Sequence, residues 1–76
     1  MAALELYGSA SCQHTGELRD WLELRGADYA EYDVDTDAEA RVRVQALTGG
    51  RVVPVLVQDG TVVQVGWQGR GCAFGE

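Results

Sequence analysis

Two thiols, Cys12 and Cys72, are the strongest nucleophiles this 76-residue chain can offer at neutral pH. Cys12 lies in Tyr7-Gly8-Ser9-Ala10-Ser11-Cys12-Gln13-His14-Thr15. A short apolar alternation precedes this stretch and an amphipathic helical pattern follows it. The cysteine therefore falls where a strand hands over to a helix N-terminus. Unpaired amide N–H groups and the positive end of the helix dipole gather there. Both favour thiolate over thiol, and the thiolate is the nucleophile of disulfide exchange. Thiol-redox chemistry centred on Cys12 is the expectation, against the plainer reading of a cysteine as a small buried hydrophobe. Thr15 follows one helical turn later. Its hydroxyl either donates to the thiolate or belongs to an ordinary first-turn threonine. His14 either protonates a leaving thiol or is a solvated side chain, and side chains two apart on a helix do not face each other.

The elements that must position these groups can be read in order. Ala3 to Tyr7 alternates and predicts a first strand. Gly8 to Ser11 is a small polar loop with Ser11 as the N-cap. From Gln13 to Arg25, Leu18, Trp21, Leu22 and Leu24 recur near helical spacing, and Gly26 is a natural stop. Ala27 to Val34 predicts a second strand with Ala30, Tyr32 and Val34 on one face. Thr36-Asp37-Ala38-Glu39 has the Thr-x-x-Glu pattern of a capping box. It opens a second helix, with Ala38, Val42 and Leu47 on its apolar positions, running to Thr48 before Gly49-Gly50. Val52 to Val57 is an apolar run suited to a strand buried on both faces. Pro54 conflicts with a sheet ladder there. Asp59-Gly60 signals a tight hairpin into a returning strand from Thr61 to Val65. The tail, Gly66-Trp67-Gln68-Gly69-Arg70-Gly71-Cys72, reads as a loop with a rudimentary last helix. The order β-α-β-α-β-β predicts an α/β fold, a mixed four-stranded sheet with helices packed on it, in a single domain spanning 1–76.

Composition narrows the function. Six Arg and no Lys stand against 12 Asp plus Glu, for a formal charge of −6, which disfavours nucleic-acid binding through a basic face. No apolar run approaches the roughly 20 residues that span a membrane, and the N-terminus lacks the regions of a signal peptide. Two cysteines do not make a disulfide-rich secreted scaffold. A cytoplasmic setting is expected, without nucleic-acid or membrane partners.

The order of elements, a cysteine at the first strand–helix junction and a proline entering the third strand together resemble the thioredoxin fold, and more narrowly a glutaredoxin. Leu6-Tyr7-Gly8 leading to Cys12, Tyr32-Asp33-Val34-Asp35, and Thr48-Gly49-Gly50-Arg51-Val52-Val53-Pro54 carry the likeness. It implies a cis Pro54 facing Cys12, a glycine turn at Gly66, and a C-terminal helix, here truncated. It implies a glutathione-dependent oxidoreductase with glutathione as reductant or co-substrate, no metal, and glutathione or protein disulfides as partners of a monomer. Val53 and Pro54 would present backbone groups to the substrate, Arg51 and less directly Arg43 would meet its carboxylate, and Trp67 would wall the site. Solvated surface charge is the plain alternative for both arginines.

This chain departs from the family in having Cys12-Gln13-His14-Thr15 in place of Cys-x-x-Cys, Ser9 where a lysine is common, and Trp67-Gln68-Gly69-Arg70 in place of an acidic pair. The Cys-x-His-Thr stretch and the Gly-rich tail resemble the UXX-star group, whose members often carry selenocysteine where Cys12 stands. Cys72 is either a resolving thiol, if the tail folds back to within about 7 Å between Cα atoms, or an inert tail cysteine. Two other functions fit the same residues. One is a metal or iron–sulfur carrier using Cys12, His14 and Cys72. The other is a binding module that keeps the fold without the chemistry.

Overall fold

The computed structural model describes residues 4–74. Its elements are β1 (Leu4–Gly8), α1 (Gln13–Leu24), β2 (Ala30–Asp33), α2 (Ala38–Thr48), β3 (Val52–Val53), β4 (Val55–Gln58), β5 (Thr61–Val65) and β6 (Cys72–Ala73). The main sheet runs β2-β1-β4-β5, and β3 and β6 form a separate two-stranded sheet. β1 and β2 are parallel, while β1–β4 and β4–β5 are antiparallel. This is the expected mixed α/β, thioredoxin-like sheet. Ala3, placed at the start of the first strand, lies outside the described residues.

The central strands explain why their sequences read as apolar runs. Successive β1 side chains point to opposite faces, and both faces are covered. Leu6 joins Leu18 and Leu22 of α1 and Leu56 of β4 in one cluster. Tyr7 joins Ala40 and Val44 of α2, with Val34, Val53, Val55, Val57 and Phe74, in the other. The sheet is thus the middle of three layers. Each fully buried aliphatic side chain in these clusters contributes about 1.5–3 kcal/mol.

Local signals mostly hold. Asp59 and Gly60 have φ of 53° and 81°, the doubly left-handed turn that an Asp-Gly pair accommodates. Gly49 ends α2 with φ 75°. The capping assignments need correction by one residue each. The N-cap of α1 is Cys12 and not Ser11. The N-cap of α2 is Asp37 and not Thr36: its carboxylate accepts from the amides of Glu39 and Ala40. The preceding turn sets the entry: the Asp33 carbonyl accepts from the amides of both Thr36 and Asp37, at 3.2 and 2.9 Å, so the chain leaves the turn only at Asp37, whose side chain meets the free amides. The apolar stripes also shift. Val42 and Leu24 are exposed, and Trp21 and Leu47 are partly so, while Ala40, Val44, Leu18 and Leu22 face the sheet.

The largest correction is the tail. It forms no helix among the described residues. Trp67 and Arg70 exchange backbone hydrogen bonds of 2.6 and 2.9 Å across a tight turn at Gln68-Gly69, with φ of 53° and 78°. The chain then returns as β6, antiparallel to β3.

Candidate active site

The site grows from three segments that meet beside the start of α1. The first is the loop before Cys12. The Cys12 amide donates to the Ser9 carbonyl at 3.0 Å, and the Cys12 carbonyl accepts from the Thr15 amide at 3.1 Å. Cys12 has extended φ and ψ, with α1 starting at the next residue. It therefore occupies the N-cap position, where a side-chain oxygen ordinarily accepts from the first free amides. Here the Cys12 side chain makes no capping hydrogen bond, and no acidic residue stands in the first turn.

Ser9, in place of the lysine common in the resembling family, has a structural role. It is buried, its hydroxyl donates to the Asp35 carboxylate, and it lies 2.9 Å from the Ser11 hydroxyl. This ties the loop to the segment after β2. The sequence reading missed Asp35 as a member of this network, because the two residues are 26 positions apart and only the parallel β1–β2 pairing brings them together. Thr15 is fully buried, and its hydroxyl oxygen accepts from the Ser9 amide at 3.2 Å. His14 turns along its own helix, with Nδ1 3.3 Å from the Glu17 carboxylate.

The second segment is the entry to β4. The Val53–Pro54 peptide is cis, both residues are fully buried, and the Val53 carbonyl oxygen lies 4.0 Å from the Cys12 sulfur. The expectation that Pro54 resolves its conflict with the ladder by a cis bond opposite Cys12 is met. The third segment is the tail. Gly66 has φ 81° and donates to the Pro54 carbonyl at 2.6 Å. Gly71 permits the final approach: a Cβ there would fall 2.6 Å from a Val52 methyl and 2.8 Å from the Val53 carbonyl. Phe74 then anchors the end, its ring buried in the Tyr7 cluster and its amide bonded to the Arg51 carbonyl at 2.9 Å. Gly71 is one of the three tail glycines that the sequence marks as permitting a close approach, whereas Phe74 carries no such signal.

These three segments place Cys72 opposite Val53 in register and 6.0 Å, Cα to Cα, from Cys12. The two sulfurs are joined in a disulfide across a sequence separation of 60. Cys12 is 4% exposed, whereas Cys72 is partly exposed between exposed Gly71 and Ala73. The backbone of Val53 that the resemblance assigned to substrate is paired with the chain's own Cys72.

The other expected site residues lie further out. Trp67 packs against the Leu6 cluster and Trp21, with ring centroids 5.9 Å apart. The Arg51 side chain is exposed. Arg43 reaches away to the Tyr7 hydroxyl and Glu5 at 3.4 and 3.8 Å. Burial and the hydrogen bond to Glu5 raise the Tyr7 phenol pKa, with Arg43 opposing. Arg43 thus lines a separate cavity of about 230 Å³ with Tyr7, Tyr32, Asp37, Glu39 and Ala40, and neither cysteine borders it. Among the described residues, no three His, Cys, Asp or Glu side chains gather in a metal-binding group.

A disulfide at a helix N-terminus, beside a cis proline, sits on a mixed four-stranded sheet, and the glutaredoxin family model matches residues 4–63. The chain belongs to the glutaredoxin family. Among solved structures, this glutaredoxin-family chain is similar to a mutant of the thioredoxin-like protein BC3987, with TM-score 0.78 and 32% identity over 90% of this chain and 86% of that one. It is similar to a glutaredoxin from Archaeoglobus fulgidus, with TM-score 0.73 and 26% identity over 86% and 76%. The buckwheat glutaredoxin–glutathione complex shares the fold, with TM-score 0.72 and 18% identity over 84% and 61%. Among curated proteins none matches the chain. Family membership and the Cys12–Cys72 disulfide support a thiol–disulfide oxidoreductase function.

Proposed function

We propose that this protein is a glutathione-coupled thiol–disulfide oxidoreductase, acting as a monomer in the cytoplasm on glutathione mixed disulfides or protein disulfides. One observation carries the reading: Cys12 occupies the N-cap of α1 and is within bonding reach of Cys72. In the reduced protein the Cys12 thiolate has the first-turn amides of α1 as its electrostatic partners. It attacks a substrate disulfide and displaces one substrate thiolate. Cys72 then attacks the Cys12 sulfur of the mixed disulfide, closing the internal disulfide and releasing the second substrate thiolate. The second thiol that the family keeps three residues after the first is here replaced by one on β6.

Val53, Pro54 and Gly66 shape the wall beside the two sulfurs, and Trp67 closes its outer side. Arg51 meets a substrate carboxylate at the rim. His14 and Thr15 serve the leaving thiol and the loop. The match to the UXX-star pattern, Cys12-Gln13-His14-Thr15 with its glycine-rich tail, makes Cys12 the position where relatives of that group carry selenocysteine. A buckwheat relative of the same fold is described in complex with glutathione, which supports the choice of reductant.

The test is intact-mass spectrometry of reduced protein exposed to oxidised glutathione, in the parent and in Cys72→Ser. The parent should lose two hydrogen atoms, reducing one oxidised glutathione to two thiols, and the variant should keep one glutathione adduct. No reaction in either protein would overturn the reading.

A further inference from the structure

The cavity of about 230 Å³ between β1, β2 and the start of α2 lies away from both sulfurs. We infer that it is a docking site for an exposed basic segment of a partner protein, taking one arginine side chain from that segment. The inference goes beyond the redox reading and shares no residue with it.

The walls of the cavity carry it. Tyr7 and Tyr32 are partners across the parallel β1–β2 pair, and their rings stack with centroids 5.1 Å apart. Tyr7 is buried, so the half-buried Tyr32 ring is held against a fixed neighbour. Asp37, Glu39, Ala40 and Arg43 line the α2 side. Arg43 does not make this an anion site. Its guanidinium already meets the Tyr7 hydroxyl at 3.4 Å and the Glu5 carboxylate at 3.8 Å. Asp37 spends one carboxylate oxygen, Oδ1, on the α2 amides. The ion pairs among the described residues leave out Glu39, although Arg43 stands four positions on along the same helix. Carboxylate charge is thus left uncompensated beside an aromatic ring. A guanidinium satisfies both, since it forks onto a carboxylate and stacks on a ring.

The neighbouring surface says why the cation belongs to a polypeptide. A second, more open hollow of about 480 Å³ continues along α2, lined by Ala38, Glu39, Val42, Arg43 and Ala46. It shares Glu39 and Arg43 with the first, and Val42 is 66% exposed there. Beyond the charged end the lining is therefore aliphatic, as the stem of an arginine and an apolar neighbour in the same segment require. A small free cation would fill the first cavity and leave the second bare. The charge of the whole molecule agrees. At −6 it draws in a basic partner and speeds the encounter.

The test titrates the oxidised, isotopically labelled full chain with the end-capped peptide Gly-Leu-Arg-Leu-Gly and follows backbone amide NMR shifts. Parallel titrations use the same peptide with neutral citrulline in place of arginine, and ethylguanidinium, the cation without a peptide. Shifts are expected at Tyr32, Glu39, Val42 and Arg43, with the citrulline peptide and ethylguanidinium each bound roughly tenfold more weakly. Glu39→Gln should weaken the arginine peptide roughly threefold or more. Asp20→Asn, which changes an exposed acid on α1 across the sheet, should leave its binding unchanged. Ethylguanidinium bound as tightly as the peptide would make the cavity a small-cation site and overturn the docking role. Equal binding of the citrulline peptide, shifts absent or centred elsewhere, or equal losses in the two variants would overturn it as well. The glutathione exchange assay on Cys72→Ser judges the redox function separately, so failure of one reading leaves the other standing.

Discussion

The two helices of this protein begin in opposite ways. α2 starts at Asp37, whose carboxylate accepts from two amides at 3.0 and 3.3 Å, with Glu39 in the first turn to oppose the helix dipole. α1 starts at Cys12, whose side chain caps nothing, with no acid in its first turn. The α2 terminus is capped by its own sequence at two of its first-turn amides. The α1 terminus is held by a covalent tie to Cys72 and keeps its amide dipoles for a sulfur anion. One fold therefore contains the same structural element finished for stability in one place and left open for chemistry in another.

Cys12→Ser should remove all catalysed disulfide reduction, the largest effect expected. Measurable turnover by that variant in a coupled glutathione assay would break the assignment of chemistry to the α1 end. Next, Cys72→Ser should lower stability by about 4 kcal/mol relative to the oxidised parent, the loop-closure value for a tie across a sequence separation of 60. Denaturant unfolding of the two proteins reads it. Asp37→Ala should lose about 1 kcal/mol of stability while leaving the exchange rate of Cys12 unchanged. Thr36→Ala should sit within about 0.5 kcal/mol of the parent, as a surface substitution away from any cap.

The comparison can also be turned round. Cys12→Ser should be more stable than Cys12→Ala by roughly 1 kcal/mol, because a serine hydroxyl can fill the vacant cap. Equal stabilities would mean the α1 amides are not open to a side chain.

The signals that succeeded were those where neighbouring residues decide the outcome. Asp59-Gly60 needs only its own backbone freedom to turn the chain, and the turn formed as read. Val55 to Val57 are buried as a continuous apolar run requires. The cap of α2 was misplaced because Thr36 and Asp37 are both competent caps. The choice was made by Asp33, whose carbonyl takes the amides of both residues and fixes where the chain enters the helix. The apolar stripe of α2 was misread for a similar reason: Ala38, Val42 and Leu47 compete with Ala40 and Val44, and only the sheet selects the face. The tail reads as a loop with a rudimentary helix and not as a hairpin, because Gln68-Gly69 is a weaker turn signal than Asn-Gly or Asp-Gly.

By itself the sequence did not show the separate pair of β3 and β6, but it determined the order of the two helices and the four main-sheet strands, the cis-proline entry by its likeness to the family, and the place of Cys12 at a strand–helix junction. Each of these depends on short-range periodicity, backbone preference or a local motif. Only the tertiary structure decided that Cys72 is the partner thiol. That pairing requires β6 to reach the β3 backbone past Gly71, and Phe74 to be buried in a core drawn from β1, α2, β3 and β4. A contact between residues so far apart in the chain is stabilised by packing that no local stretch encodes.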